Sequence, residues 1–155
     1  PREVPVAERR GDPVTRSRAT AKAAGAAFER AFAKFLAWAL DDDRVEVRRT
    51  NGINDRGDIS AVRTIRGGKV VIECKNYTSD RIQFQKWLAE AEVERGNDDA
   101  HIGVVAVKPR GSTDGADALI VMTGATFANL LLGGPDDRPV VTPAAENQTR
   151  IGVTG

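Results

Sequence analysis

The chain of 155 residues contains one cysteine and one histidine, which excludes several kinds of site. A single cysteine rules out an internal disulfide framework and any zinc site built from cysteines, and it fits a reducing compartment. The longest apolar stretch, from Phe28 to Leu40, is interrupted by charged residues and is too polar to span a bilayer. The arginine-rich N-terminus lacks the apolar segment of a secretory signal. We therefore predict a cytoplasmic protein without a membrane segment.

The chain also lacks an excess of charge of either sign, because it contains 23 basic and 22 acidic residues and has a formal net charge of +1. Bulk charge therefore gives no indication of a nucleic-acid partner, and any basic surface must arise from local clustering. The length favours a single domain with a real core. We expect this domain to occupy residues 17–134, between a flexible basic arm at 1–16 and a polar tail at 135–155.

The order of apolar periodicities predicts the architecture of this domain. Three- and four-residue spacing indicates a helix, and short β-branched or continuous apolar runs indicate strands. The predicted elements are a helix at 17–40, strands at 44–50, 58–65 and 69–75, a helix from Ser79-Asp80 to Arg95, strands at 102–107 and 119–122, and a helix at 126–132. This order predicts an α/β fold in which helices flank a mixed sheet.

The third predicted strand carries two charges on one face. Residues i and i+2 of a strand project to the same side, so Glu73 and Lys75 point together. Val70, Ile72 and Cys74 point to the other side, into a core. Charges on a largely apolar strand require partners, a metal ion or a substrate. A solvated ion pair on an open face is the alternative explanation.

A second carboxylate, Asp58, begins the preceding strand. Two carboxylates and a lysine are the minimal set for metal-assisted hydrolysis of a phosphodiester. Asp58, Glu73 and the backbone carbonyl of Cys74 would be the metal ligands, and Lys75 would orient water or stabilise charge on the phosphate. The oxygen donors, and the lack of cysteine and histidine clusters, favour Mg²⁺, for which Mn²⁺ would substitute.

The register of the predicted hairpin creates a difficulty for this site. A two-residue turn at Gly67-Gly68 places Asp58 opposite Tyr77, on the correct face but two pairs away from Glu73. A shifted turn, a bulge or a strong bend is therefore needed to bring the two acids together.

The run Gly57-Asp58-Ile59, followed by Glu73-Cys74-Lys75, resembles the motif of the PD-(D/E)xK nuclease superfamily, although Gly57 replaces its nominal proline. The segment from Lys22 through Gly25 to Glu29-Arg30 resembles the first helix of archaeal-type Holliday-junction resolvases and their phage and bacterial relatives. This resemblance implies a restriction-endonuclease-like core. It also implies that Glu29 joins the metal site, and Arg48-Arg49 match the basic end of the first strand.

The resemblance further implies a Mg²⁺-dependent endodeoxyribonuclease, most like a resolvase that nicks four-way junctions in a bacterial or phage-infected cell. Such an enzyme acts as a homodimer, because two symmetric strands are cut; the first helix and the Val104–Val107 region are candidate dimer surfaces. Gln85 is a candidate contact to metal-bound water. The candidate DNA contacts are Lys22, Arg30, Arg48, Arg49, Lys108 and Arg110. The alternatives are another nuclease on the same core acting on duplex or flap DNA, a catalytically silent DNA-binding module, or a structural domain.

Overall fold

The computed structural model describes residues 18–49, 56–76 and 83–133. The predicted arm at 1–16 and tail at 135–155 lie outside these residues. None of the helices within the described ranges has the length and apolar character needed to cross a membrane. The elements are α1 (Arg18–Ala39), β1 (Glu46–Val47), β2 (Ile59–Ser60), β3 (Val70–Lys75), α2 (Phe84–Asn97), β4 (Ile102–Val107), a 3-10 turn (Gly115–Asp117), β5 (Leu119–Val121) and α3 (Gly124–Leu132).

The strands form one mixed sheet in the order β1-β2-β3-β4-β5. The pair β3–β4 is parallel, and all other neighbouring pairs are antiparallel. Helix α2 connects the two parallel strands, which is the usual crossover between such strands. The predicted α/β class, with a mixed sheet flanked by helices, is therefore confirmed. Strand β4 is buried along its whole length, as its continuous apolar sequence predicts.

Helix α1 covers one face of the sheet. Its aromatic side chains recur at helical spacing, so Phe28 and Phe32 are buried together against Ile72 and Val104. Burial of each such phenylalanine contributes about 1.5–3 kcal/mol to stability. The helix ends at Ala39, as predicted, immediately before the aspartate run in which Asp41 has a positive φ of 51°.

Helix α2 covers the opposite face with a smaller core. Trp87 and Ala91 pack against Val105 and Val107 of β4. The structure begins this helix at Phe84, and the predicted cap at Ser79-Asp80 lies outside the described residues. The two helices thus leave β3 between a larger core on the α1 side and a smaller one on the α2 side.

The turn between β2 and β3 differs from the prediction. The hairpin closes through a loop at residues 64–68, in which the Thr64 N–H donates to the Gly68 carbonyl at 2.9 Å. The predicted two-residue turn at Gly67-Gly68 is therefore wrong. The physical reason is that the Thr64 hydroxyl accepts a hydrogen bond from the Gly68 N–H at 3.0 Å, which stabilises a longer loop.

The hairpin also contains a bulge. Arg63 pairs with Lys69 and Ile59 pairs with Ile72, so three residues of one strand face two of the other. The extra residue lies beside Ala61, which has a φ of 64°. Because of the bulge, Ile59 and Val62 both reach the larger core although they are three residues apart. The shifted turn and the bulge together change the register so that Asp58 lies beside the Ile72–Glu73 section of β3, as the site requires.

Close contact between the 3-10 turn and α1 depends on a glycine. A Cβ at Gly115 would lie 2.5 Å from the Ala31 carbonyl oxygen and 2.9 Å from its carbon. Both atoms belong to the helix backbone and cannot rotate away. The segment before β5 can therefore approach α1 this closely only without a side chain.

We expect Gly115→Ala to lower the free energy of unfolding by about 1–3 kcal/mol, because α1 or the turn must move. The matched control is Gly25→Ala, where an added Cβ meets nothing within 4 Å. This control should raise the free energy of unfolding by up to about 1 kcal/mol through helix propensity. Urea titration of both variants measures the two changes, and equal behaviour of the two would contradict the close contact.

Candidate active site

Asp58 is fixed between β1 and β3 by three hydrogen bonds. Its N–H donates to the Ile72 carbonyl at 2.8 Å, and its own carbonyl accepts from the Arg48 N–H at 2.7 Å. Its carboxylate accepts from the Cys74 N–H at 2.7 Å. The carboxylate is therefore held against the section of β3 that contains Glu73.

The residue before Asp58 must be a glycine for this position to form. Gly57 has a φ of 83°, and an added Cβ would lie 2.7 Å from Val71 Cγ1 and 3.0 Å from the Ile72 carbonyl oxygen. A positive φ and a close approach to β3 both exclude larger residues. Gly57 thus sets the entry of the chain into the site.

Lys75 joins two acids on the side of the sheet that faces α2. Its Nζ lies 2.5 Å from Glu73 Oε1 and 2.7 Å from Glu90 Oε2. Glu73 and Lys75 share this face, while Val70 and Cys74 pack with the core on the α1 side. The predicted division of β3 into a charged face and an apolar face is confirmed.

Burial and neighbouring charges shift the pKa values of Asp58, Lys75 and Cys74. Burial first, and then the charge of Glu73, raise the pKa of Asp58 to about 7, although the Cys74 N–H opposes the shift. Burial lowers the pKa of Lys75, but its hydrogen bonds to Glu73 and Glu90 outweigh burial and raise the pKa overall. Burial and the neighbouring acids raise the pKa of the Cys74 thiol, so it remains protonated and unreactive.

This donor set fits a hard divalent cation. Asp58 and Glu73 supply adjacent carboxylate oxygens whose repulsion a cation would relieve. The N–H groups of Val70 and Cys74 both point toward β2, so by strand alternation the Cys74 carbonyl points to the side where Asp58 lies. Water would complete the shell of an ion such as Mg²⁺.

Glu29 approaches the pair from the other side of the sheet. It lies on α1 next to the buried Phe28, and its charge is a smaller contribution to the raised pKa of Asp58. Within residues 18–49, 56–76 and 83–133, no three His, Cys, Asp or Glu side chains are close enough to form a metal-binding group. Glu29 is thus near Asp58 without completing a three-carboxylate cluster, and its role as a ligand stays a prediction.

Glu90 is the site residue that the sequence reasoning missed. Its neighbour on the same helix, Gln85, was predicted instead and is exposed. The available signal was helical spacing, because Glu90 lies three residues after Trp87 and adjoins Ala91, both of which are buried. An acid beside the buried stripe of α2 points toward the sheet, and β3 offers Lys75 at that place.

The candidate DNA contacts fall into two groups. Lys22, Arg30, Arg49 and Arg110 are exposed and Lys108 is half-buried. Arg48 instead forms a two-pronged ion pair with Asp98, both contacts being 3.1 Å, which ties β1 to the turn after α2. Arg48 therefore has a structural partner that the sequence did not predict.

Two of these basic residues flank the acidic pair. Arg49 follows Arg48, whose N–H binds the Asp58 carbonyl, and Lys108 donates its N–H to the Lys75 carbonyl at 3.0 Å. The acids and the lysine consequently lie at one end of the neighbouring strands β2 and β3, with Arg49 following β1 on one side and Lys108 following β4 on the other. Such an arrangement suits an anionic backbone that passes across these strand ends.

Comparison of the chain with protein-family models, with curated proteins and with solved structures gives no match.

The raised pKa of Asp58 makes stability depend on pH. In the unfolded chain this group titrates near its ordinary value of 3.8, so between about pH 4 and pH 7 the native state binds more protons. Stability from this group is therefore lost as pH rises through that window. With chelator present at pH 8, we expect Asp58→Asn to have a free energy of unfolding about 2 kcal/mol higher than that of the wild type. This figure allows for the partial exposure of Asp58, and urea titration measures it.

The same comparison at about pH 3 should show little difference, because that pH lies below both the unfolded and the folded pKa of Asp58 and the group is largely protonated in both states. Asp43→Asn, at an exposed position, is the control and should not alter the pH profile. A wild-type profile parallel to that of Asp58→Asn would contradict the raised pKa.

Proposed function

We propose that this protein is a metal-dependent endodeoxyribonuclease with a restriction-endonuclease-like core of the PD-(D/E)xK type, acting as a Holliday-junction resolvase. The observation that carries the proposal is the hairpin geometry, in which the Asp58 carboxylate accepts the Cys74 N–H at 2.7 Å. The Lys75 ammonium lies 2.5 Å from Glu73 on the same section of chain. Asp, Glu and Lys therefore converge although an ideal hairpin would have separated them.

The order of elements supports the same proposal. A helix, three antiparallel strands, a helix and a parallel strand follow one another from α1 to β4. This order agrees with the restriction-endonuclease-like core that the sequence resemblance implies, which consists of a helix, a three-strand meander, a helix and another strand. The acids lie where β2 begins and β3 ends, on neighbouring strands of the sheet.

The residues of the site divide the work of phosphodiester hydrolysis. Asp58, Glu73 and the Cys74 carbonyl would hold a Mg²⁺ or Mn²⁺ ion, which supplies Lewis-acid stabilisation of the phosphate charge and a more acidic water. Lys75 stays protonated beside its two acids, so it can stabilise charge on the phosphate or orient water. The partial burial of Asp58 reduces its contact with bulk solvent and strengthens these interactions.

A resolvase also needs two copies of this site. The Val104–Val107 region, a predicted part of the dimer surface, is buried inside the sheet and is covered by both helices. The described surface exposes apolar side chains elsewhere, on β5, on α3 and at Trp38 near the end of α1. These surfaces are where a second copy of the chain would bind in the proposed homodimer.

We expect the protein to nick a labelled four-way junction symmetrically in Mg²⁺ and not in chelator. Asp58→Asn, Glu73→Gln and Lys75→Ala should each lower the rate roughly a hundredfold or more, because each removes charge from the reacting centre. Glu92→Gln is the control, since Glu92 is exposed and pairs with Arg95. Matched duplex and flap DNA should be cut more slowly.

Other outcomes separate the alternatives. Metal-dependent cutting of duplex or flap DNA in preference to the junction would support the assignment as a nuclease and contradict the assignment as a resolvase. Tight, salt-dependent binding with no cutting in Mg²⁺ or Mn²⁺ would instead indicate a silent DNA-binding module. Full activity of Glu73→Gln would contradict the mechanism.

We further expect Arg49→Ala and Lys108→Ala to weaken DNA binding and each to reduce the slope of log K against log salt by about 1, as loss of one phosphate contact does. Arg44→Ala is the matched control, because Arg44 is exposed and precedes the opposite end of β1. Fluorescence anisotropy in chelator at several salt concentrations measures the slopes. If both variants keep the wild-type slope of log K against log salt, the proposed path of the DNA backbone past Arg49 and Lys108 is wrong.

A further inference from the structure

We propose that Glu90 is a positioning residue for Lys75, which keeps the ammonium group in place when a divalent cation engages Glu73. This inference rests on the proposed function, because it concerns the same site. It assigns a role to a residue of α2 that lies outside the Asp, Glu and Lys motif. The divalent cation and the Lys75 ammonium group would compete for the Glu73 carboxylate.

The distances around Lys75 show why a bound cation would weaken its contact with Glu73. Lys75 Nζ lies 2.5 Å from Glu73 Oε1, and both side chains are mostly shielded from solvent, being 21% and 13% exposed. An ion bound to Asp58 and Glu73 draws on the same carboxylate and repels the ammonium group. Lys75 needs a second anion to remain at the site, and the structure places Glu90 Oε2 2.7 Å from its Nζ.

Helix α2 makes Glu90 a suitable anchor. The neighbouring residues Trp87 and Ala91 are buried against β4, so the backbone that carries Glu90 is fixed to the sheet. Glu90 itself is 35% exposed, compared with 21% for Lys75. Its other cationic neighbour, Lys86, is more distant at 3.8 Å and is well exposed, so it competes weakly.

The charges also argue for a role beyond a simple tie between α2 and β3. Glu73 and Glu90 both lie within hydrogen-bond distance of the Lys75 ammonium group, so two carboxylates share one cation. A divalent cation at Glu73 would supply that carboxylate with a second positive charge. Glu90 thus fits the loaded site better than the empty one, where Glu73 alone would suffice for Lys75.

The first test observes Lys75 directly and does not require DNA. In ¹⁵N-labelled protein, the slowly exchanging ζ-NH₃⁺ signal of Lys75, assigned through Lys75→Arg, should persist in the wild type before and after addition of Mg²⁺. In Glu90→Ala the signal should persist in chelator, where Glu73 holds the lysine, and be lost with Mg²⁺. Glu90→Gln keeps the side-chain size and should show a weaker loss, and Glu92→Gln should match the wild type.

The second test uses steady-state cleavage of the junction. We expect Glu90→Ala to lower kcat at least tenfold while KM for DNA stays constant or falls, because the variant misplaces Lys75 yet removes a negative charge near the phosphate path. Glu90→Gln should fall between the wild type and Glu90→Ala. A purely structural tie would lower the melting temperature and would lower the apparent kcat only in proportion to the folded fraction, which circular dichroism at the assay temperature measures.

The outcomes separate this inference from the proposed function. A ζ-NH₃⁺ signal that survives Mg²⁺ in Glu90→Ala, with Mg²⁺ visibly perturbing the site, would overturn the positioning role and leave the nuclease intact. A wild-type site that shows no response to Mg²⁺ or Mn²⁺ would overturn the proposed function, and the positioning role with it. A loss of the signal in Glu90→Ala already in chelator would also overturn it, because Glu73 would then never hold Lys75 alone.

Discussion

The hydrogen bond from the Cys74 N–H to the Asp58 carboxylate is the interaction on which the candidate site depends. It forms only because the β2–β3 hairpin combines a long turn with a bulge beside Ala61. Each feature alone would shift the pairing by an odd number of residues, and together they preserve the face on which each side chain lies. The same pairing buries Ile59 against Ile72, so the core and the site stabilise a single register.

The proximity of the Asp58 and Glu73 carboxylates is energetically unfavourable. A buried carboxylate next to another acid is unfavourable unless a cation or a proton neutralises it. Lys75 compensates part of this charge, and the backbone of β3 compensates another part through its N–H groups. The larger core beneath α1 provides the stability that permits the strained arrangement above it, as is common where a fold carries chemistry.

Local patterns in the sequence predicted much of the fold. The aromatic spacing of α1 and the apolar run of β4 reflect burial that any register would require, so the predicted helix and strand agree with the structure. The alternation of β3 likewise predicted that Glu73 and Lys75 would share a face. Sequence could show that Asp58 needed a shifted turn or a bulge, but not that both would occur, because the turn depends on the Thr64 hydroxyl and the bulge on the packing of Ile59 and Val62.

Contacts between distant elements were harder to predict. The ion pair of Arg48 with Asp98 joins residues fifty positions apart, and neither residue carries a local signal of its partner. Glu90 had a helical signal, but its relevance depended on which face of β3 lies against α2. Whether Glu29 reaches a metal ion, and whether the chain dimerises, depend on groups beyond a single folded chain and remain predictions.

The main polar groups of the candidate site, Asp58, Glu73, Lys75 and Glu90, all come from one continuous part of the chain, a hairpin followed by a helix. Helix α1 and the segment after β4 contribute mainly the supporting core and the outer edge of the sheet. The polar groups of the candidate site and the apolar outer surface of β5 and α3 are therefore encoded in separate stretches of the gene. Variation in β5 and α3 can change that surface without altering the hairpin and α2, which carry the candidate site.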